Sequence, residues 1–142
     1  MGVSFACGMG VVLTALGLFT LRFGSPSTSL AYLRGERVIA SPSTYDVGEG
    51  RSGEMKRAVF RLHNLTGSPL TITGGATSCT CITQERFPIR IEPAMSVDMT
   101  VSIKLSEKPG MLPQSIILYT DSSEQPEVAL RIAGRISPAR AL

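Results

Sequence analysis

The sequence predicts an all-β sandwich of seven or eight short strands behind one apolar helix. Three observations predict it. Apolar and polar residues alternate with period two in several stretches after Val38. Clusters of Gly, Pro, Asn and Ser punctuate those stretches at intervals of roughly 8–12 residues. No helical periodicity follows Leu21 and no internal repeat divides the remainder, so a single domain is expected.

Gly2–Leu21 is an uncharged run of 20 residues. As a helix it would be about 30 Å long, the thickness of a bilayer core. Residues 1–22 are therefore read as a transmembrane anchor, with a signal sequence as the alternative, although the run is long for a signal's apolar region. Arg22, Arg34 and Arg37 on the domain side would by the positive-inside rule keep the domain in the cytoplasm. Long domains translocate regardless of such charges, and the expectation is a single-pass protein with its domain on the extracytoplasmic side. Residues 23–37, with Gly24-Ser25-Pro26-Ser27-Thr28-Ser29, have the composition of a flexible linker.

The domain is expected over residues 38–137, with 138–142 as a tail. Val38-Ile39 opens it and Ser41-Pro42 interrupts it. Tyr45–Gly48 gives a short strand, and Glu49–Glu54 reads as a polar turn. Ala58, Phe60, Leu62 and Asn64 then alternate with Val59, Arg61 and His63, a half-buried strand. Asn64–Pro69 is a turn in which Asn64 is expected to bond local backbone, a reading preferred to the glycosylation sequon Asn64-Leu65-Thr66. Leu70 and Ile72 follow on the next strand, and Gly74-Gly75 loosens the backbone ahead of the cysteines. Ile89–Ile91 is a short strand closed by Glu92-Pro93-Ala94. Val97, Met99, Val101, Ile103 and Leu105 face one way and Asp98, Thr100, Ser102 and Lys104 the other, the clearest strand of the chain. Glu107–Pro113 reads as a loop. Strands over Ser115–Thr120 and Val128–Ile136 complete an immunoglobulin-like set.

The chemistry-bearing stretch is Thr77-Ser78-Cys79-Thr80-Cys81-Ile82. On a regular strand Cys79 and Cys81 would share a face with their Cβ atoms too far apart for a disulfide, so a bond between them needs a bend. Three readings are open: a buried or disulfide-bonded structural pair; a redox site, with Arg86 and Arg90 as the nearest charges; and a soft-metal site, copper above all, with Met95, Met99, Met111 or His63 assisting. Structural zinc needs four ligands, more than two cysteines and one histidine supply. His63, the single histidine, falls on the outward side of its strand. Ser68, Ser78 and Asp98 lack a nucleophile context, and there is no phosphate-cradling glycine loop, so no enzyme is expected. The net charge of +3 is interspersed and not clustered with aromatics, which argues against nucleic acid as a partner.

Several ordered landmarks carry a family resemblance: Tyr45-Asp46-Val47-Gly48, Phe60–Asn64, Gly67-Ser68-Pro69-Leu70-Thr71-Ile72, Ser78-Cys79-Thr80-Cys81, Ile91-Glu92-Pro93 and Leu130–Gly134. Together, over residues 38–136, they resemble a bacterial domain-of-unknown-function family with an S-C-x-C motif. That family is related to the HYDIN-type (ASH) immunoglobulin-like domains and more distantly to major sperm protein domains. Thr80 and Ala94 stand where the family pattern usually has Gly. The resemblance implies exported or membrane-attached bacterial proteins without an established activity. The functional expectation is a membrane-anchored, non-enzymatic binding or structural module of the cell envelope. It would hold the membrane through residues 2–21 and meet a protein partner by adding a strand at a sheet edge. The alternative is a copper-type metal-handling domain using Cys79 and Cys81.

Overall fold

The computed structural model describes residues 26–84 and 86–138. The expected membrane segment, residues 1–22, lies outside them. Among the described residues no helix is long and apolar enough to cross a membrane. The chain divides after Glu36 into two units, each taken by itself.

In the first unit α1 (Pro26–Leu33) occupies part of the stretch read as a flexible linker. Pro26 opens it, where a missing N–H costs nothing and the fixed φ suits a helix. Gly35, at φ 90°, closes it. The Gly35 N–H bonds the Tyr32 carbonyl at 3.0 Å and the Glu36 N–H the Ala31 carbonyl at 3.1 Å, the paired bonds of a Schellman cap.

The second unit is a two-sheet sandwich of ten strands among the described residues, more than the seven or eight expected. They are β1 (Val38–Ser41), β2 (Thr44–Arg51), β3 (Met55–Asn64), β4 (Leu70–Thr77), β5 (Ile82–Gln84), β6 (Ile89–Ile91), β7 (Ser96–Lys104), β8 (Gly110–Met111), β9 (Gln114–Thr120) and β10 (Glu127–Ser137). One sheet runs β1-β3-β7-β5 and the other β2-β10-β9-β4-β6, with β8 also paired to β10. All pairs are antiparallel except β2 with β10, the first and last strands of their sheet, which are parallel.

The alternation read from sequence sets the core. Ala58, Phe60 and Leu62 of β3 and Met99, Val101 and Ile103 of β7 are fully buried. Ile72, Ile91, Ile116, Leu118, Leu130 and Ile132 are buried from the facing sheet. Tyr45 meets Phe60 edge-on across the sandwich, with ring centroids 5.9 Å apart.

Three local readings are corrected. Glu49–Arg51 is strand, and only Ser52–Glu54 turns. Gly50 lies in β2 because a Cβ there would come 2.3 Å from Leu105 Cδ1; the missing side chain makes room for a core leucine, not for a turn. The stretch Glu107–Pro113 contains β8 and the buried Leu112, whose N–H bonds the Gly134 carbonyl at 2.9 Å. Gly74-Gly75 remains inside β4, where a register shift against β9 accommodates it.

Candidate functional site

β4 belongs to one sheet and β5 to the other, so Ser78–Cys81 is the crossover that joins them at the edge of the sandwich. The chain bends here, and Cys79 and Cys81 are joined by a disulfide with Cα atoms 5.3 Å apart, inside the range such bonds require. Thr77 Oγ1 donates to the Cys79 carbonyl at 2.8 Å, and the Cys81 N–H points at Cys79 Sγ at 3.3 Å. Outside the ring, the Ser78 N–H bonds the Ser115 carbonyl at 3.0 Å on β9, and the Lys104 N–H bonds the Cys81 carbonyl at 2.9 Å on β7. Ser78 Oγ also bonds the Gln114 side chain. The crossover is thus tied to both sheets, and both half-buried sulfurs pack against the core. Thr80 needs no left-handed backbone; Ala94 is the sole non-glycine at positive φ among the described residues.

The residues suggested as helpers do not gather around the sulfurs. Met99 is buried opposite Phe60. His63 pairs with Ser96 at the start of β7, whereas Ile82, next to Cys81, pairs with Ile103 near its end. Seven residues of strand, about 23 Å, separate the two. Met95 and Met111 are exposed, at 59% and 70%. Arg90 is bonded to Glu92 at 2.7 Å. Among the described residues no group of three or more His, Cys, Asp or Glu could hold a metal ion. A copper site at Cys79 and Cys81 would need the pair reduced, because the thiolate is the ligand.

On the outer face of β3 and β7, His63 Nδ1 lies 2.6 Å from Ser96 Oγ, and Arg61 grips Asp98 in a two-point ion pair of 2.7 and 3.0 Å. The Arg61 hydrogen bond holds the Asp98 carboxyl below its usual range. Asp98 is thereby bound to a cation rather than orienting His63. The backbone N–H of Arg51 and the Lys56 side chain lower the Glu54 carboxyl in the same way, and Arg37 lowers Glu124.

Asn64 is buried, and its side-chain amide is densely bonded. Its Nδ2 donates to the carbonyls of Ser68 at 2.8 Å, Ile91 at 3.0 Å and Glu92 at 3.3 Å. Its Oδ1 accepts from the N–H and hydroxyl of Thr66 at 2.9 and 2.8 Å. The expected local turn is present, and the same amide also fastens the β6–β7 turn. A buried, fully bonded amide nitrogen offers no glycan attachment point.

The sheet edges differ. On β1 the Gln125 side chain acts as a substitute strand: Oε1 accepts from the Val38 N–H at 2.8 Å and Nε2 donates to the Val38 carbonyl at 3.0 Å. β5 and β6 have three residues each, whereas β2 has eight. Beside β2 the solvent face of the larger sheet carries two shallow depressions that share Ala133. One, about 400 Å³, is lined by Thr44, Pro113, Gln114, Ser115 and Arg131 among others. The second, about 350 Å³, includes Asp46, Glu49, Met111 and Arg135. The second lies at a bulge where Val47-Gly48 stands opposite the single Gly134. Gly134 is required there, because a Cβ would sit 2.6 Å from Val47 Cγ2 and 2.9 Å from the Gly48 carbonyl. None of this was legible locally, since it arises from pairing two strands from opposite ends of the domain.

A family model described as a protein of unknown function, DUF1573, matches residues 38–136. Among solved structures, the ASH/PapD-like domain 7 of human CEP192 superposes with a TM-score of 0.56 at 10% identity, covering 73% of this chain and 87% of that one. The CupB2 chaperone of Pseudomonas aeruginosa gives 0.53 at 12% identity, covering 70% and 55%. At such identities the likeness is one of fold. A human protein named putative serine/threonine-protein phosphatase 4 regulatory subunit 1-like is 33% identical over 96 residues. That match takes in 67% of this chain but only 20% of the curated relative's length.

Proposed function

This chain belongs to the DUF1573 family, and on that premise we propose that it is a non-enzymatic binding module of the bacterial cell envelope. Residues 1–22 carry it in the membrane, with the sandwich on the extracytoplasmic side, and it engages a protein partner by strand addition at a sheet edge. The observation that carries the reading is the unequal treatment of those edges. Gln125 caps the Val38 end of the four-residue β1, β5 and β6 are short, and β2 keeps eight residues at the border of the larger sheet. Natural sandwiches blunt the edges they do not use. The disulfide supports the location, since such bonds persist in oxidising compartments.

Cross-linking of the tagged full chain in intact cells, followed by recovery from membranes, tests the reading. One protein recovered reproducibly, together with Cys79 and Cys81 resistant to alkylation before reduction, is the expected result. Recovery of no protein above an untagged control ends it.

A further inference from the structure

We propose that β2 accepts an extended acidic segment of a protein partner over Thr44–Val47, with one carboxylate of that segment bound by Arg131. The inference rests on the edge-binding reading above and names the chemistry of the partner.

The ladder fixes which groups are offered. The Arg131 N–H bonds the Ser43 carbonyl at 2.9 Å, and Arg131 stands in register with Thr44. In a parallel ladder of that phase Ser43, Tyr45 and Val47 turn their backbone groups to β10, while Thr44 and Asp46 turn theirs away from it. Two donors and two acceptors are therefore available to an added strand. The window is bounded. Pro42 precedes it without an N–H, and Asp46 Oδ1 accepts from the Gly48 N–H at 2.8 Å, closing the strand where the bulge begins.

Charge selects the guest. Arg131 and Arg135 both point from β10 to the solvent face, and among the described residues neither forms an ion pair. Their neighbours differ. Arg135 is flanked in register by Glu49 and Met111, so an acid already lies between it and the open edge. Arg131 is flanked by Thr44 and Ser115, both neutral hydroxyls, at the floor of the larger depression. A strand added outside β2 stands about 10 Å from β10, two strand spacings. Extended Arg and Glu side chains together span that distance across the short Thr44. Arg131 is thus aimed at an acid on the guest strand, with the Thr44 hydroxyl between them placed to share its oxygens.

The test uses a capped hexapeptide alternating Val and Thr around one central Glu, with Gln and Lys counterparts, added at millimolar concentration to the labelled full chain in detergent. The expected result is amide protection appearing at Thr44 and Asp46. The Glu peptide should bind about tenfold more tightly than the Gln peptide, the factor a charge-assisted hydrogen bond supplies. Arg131→Gln should erase that preference and Arg135→Gln should keep it. Equal binding of the Glu and Gln peptides, protection at β5 or β6 instead, or no binding by any of the three overturns the proposal. A cell-envelope partner that is still recovered in full by Arg131→Gln also overturns it while leaving the binding-module reading standing; only the absence of any partner removes both.

Discussion

Asn64 Nδ2 donates to the Ile91 carbonyl at 3.0 Å across 27 positions of sequence. Asn64 ends β3 and Ile91 ends β6, strands of different sheets, so one amide closes the end of the sandwich between them. Replacing Asn64 with Ala removes the amide's bonds to the Ser68, Ile91 and Glu92 carbonyls and unties the Thr66 turn. Each lost hydrogen bond costs about 0.5–1.5 kcal/mol net. Urea unfolding of Asn64→Ala should show a loss of about 3 kcal/mol with an unchanged slope. A loss under about 1 kcal/mol would mean that water replaces the amide.

Ala94 holds φ at 58°, with the Met95 N–H bonded to the Glu92 carbonyl at 3.0 Å and Pro93 in the second position of the turn. Such a turn wants glycine in its third position. A side chain held in left-handed backbone costs roughly 1–2 kcal/mol, and the greater freedom of glycine in the unfolded chain offsets part of that. Ala94→Gly should therefore stabilise the domain by about 1 kcal/mol, raising its melting temperature by several degrees. A fall in melting temperature would count against the turn.

The ring closed by Cys79 and Cys81 is small, and the chain-entropy estimate for so short a loop is only about 1.5 kcal/mol. The double variant Cys79→Ser/Cys81→Ser should fold, lose no more than about that amount, and exchange its Lys104 amide faster than wild type. Exchange that quickens evenly over both sheets would show that the ring supports the whole domain and not the crossover.

Asp98 and Arg61 stand directly opposite each other on β7 and β3. The Arg61 hydrogen bond lowers the Asp98 carboxyl from its ordinary value of 3.8. A carboxyl lowered in the folded state contributes stability that is present above its unfolded value and lost as pH falls through the folded one. The dependence therefore lies in the acid range, and the pair is silent at neutral pH. Carboxyl carbon titration should place Asp98 below 3.8 in wild type and return it toward that value in Arg61→Gln. An identical midpoint in both would remove the pair as the cause.

What the sequence made legible is what depends on neighbours a few positions away. The alternation in β3, β7 and β10 identifies the buried faces because a strand repeats every two residues whatever it pairs with. Asn64 was readable as a turn residue for the same local reason; its bonds to Ile91 and Glu92 were not, since nothing near Asn64 encodes them. Gly48-Glu49-Gly50 carries a turn composition, yet all three of its residues are strand, because β10 pairs alongside and Leu105 fills the space above Gly50. The helix Pro26–Leu33 and its Gly35 cap fall in a stretch read as linker, since no apolar stripe announces them. The cysteine pair was visible at once, but its place at a change of sheet follows only from the pairing of β4 with β9 and of β5 with β7.

The parallel course of β2 and β10 has a mechanical consequence. A pull applied at Thr44 and Ser137 acts at opposite ends of two strands that run the same way. The force lies along the strands, and the rungs between them carry the load together. In an antiparallel hairpin pulled from its open end the rungs break one after another. The β2–β10 ladder thus meets that load in shear, the direction in which a ladder of hydrogen bonds resists most.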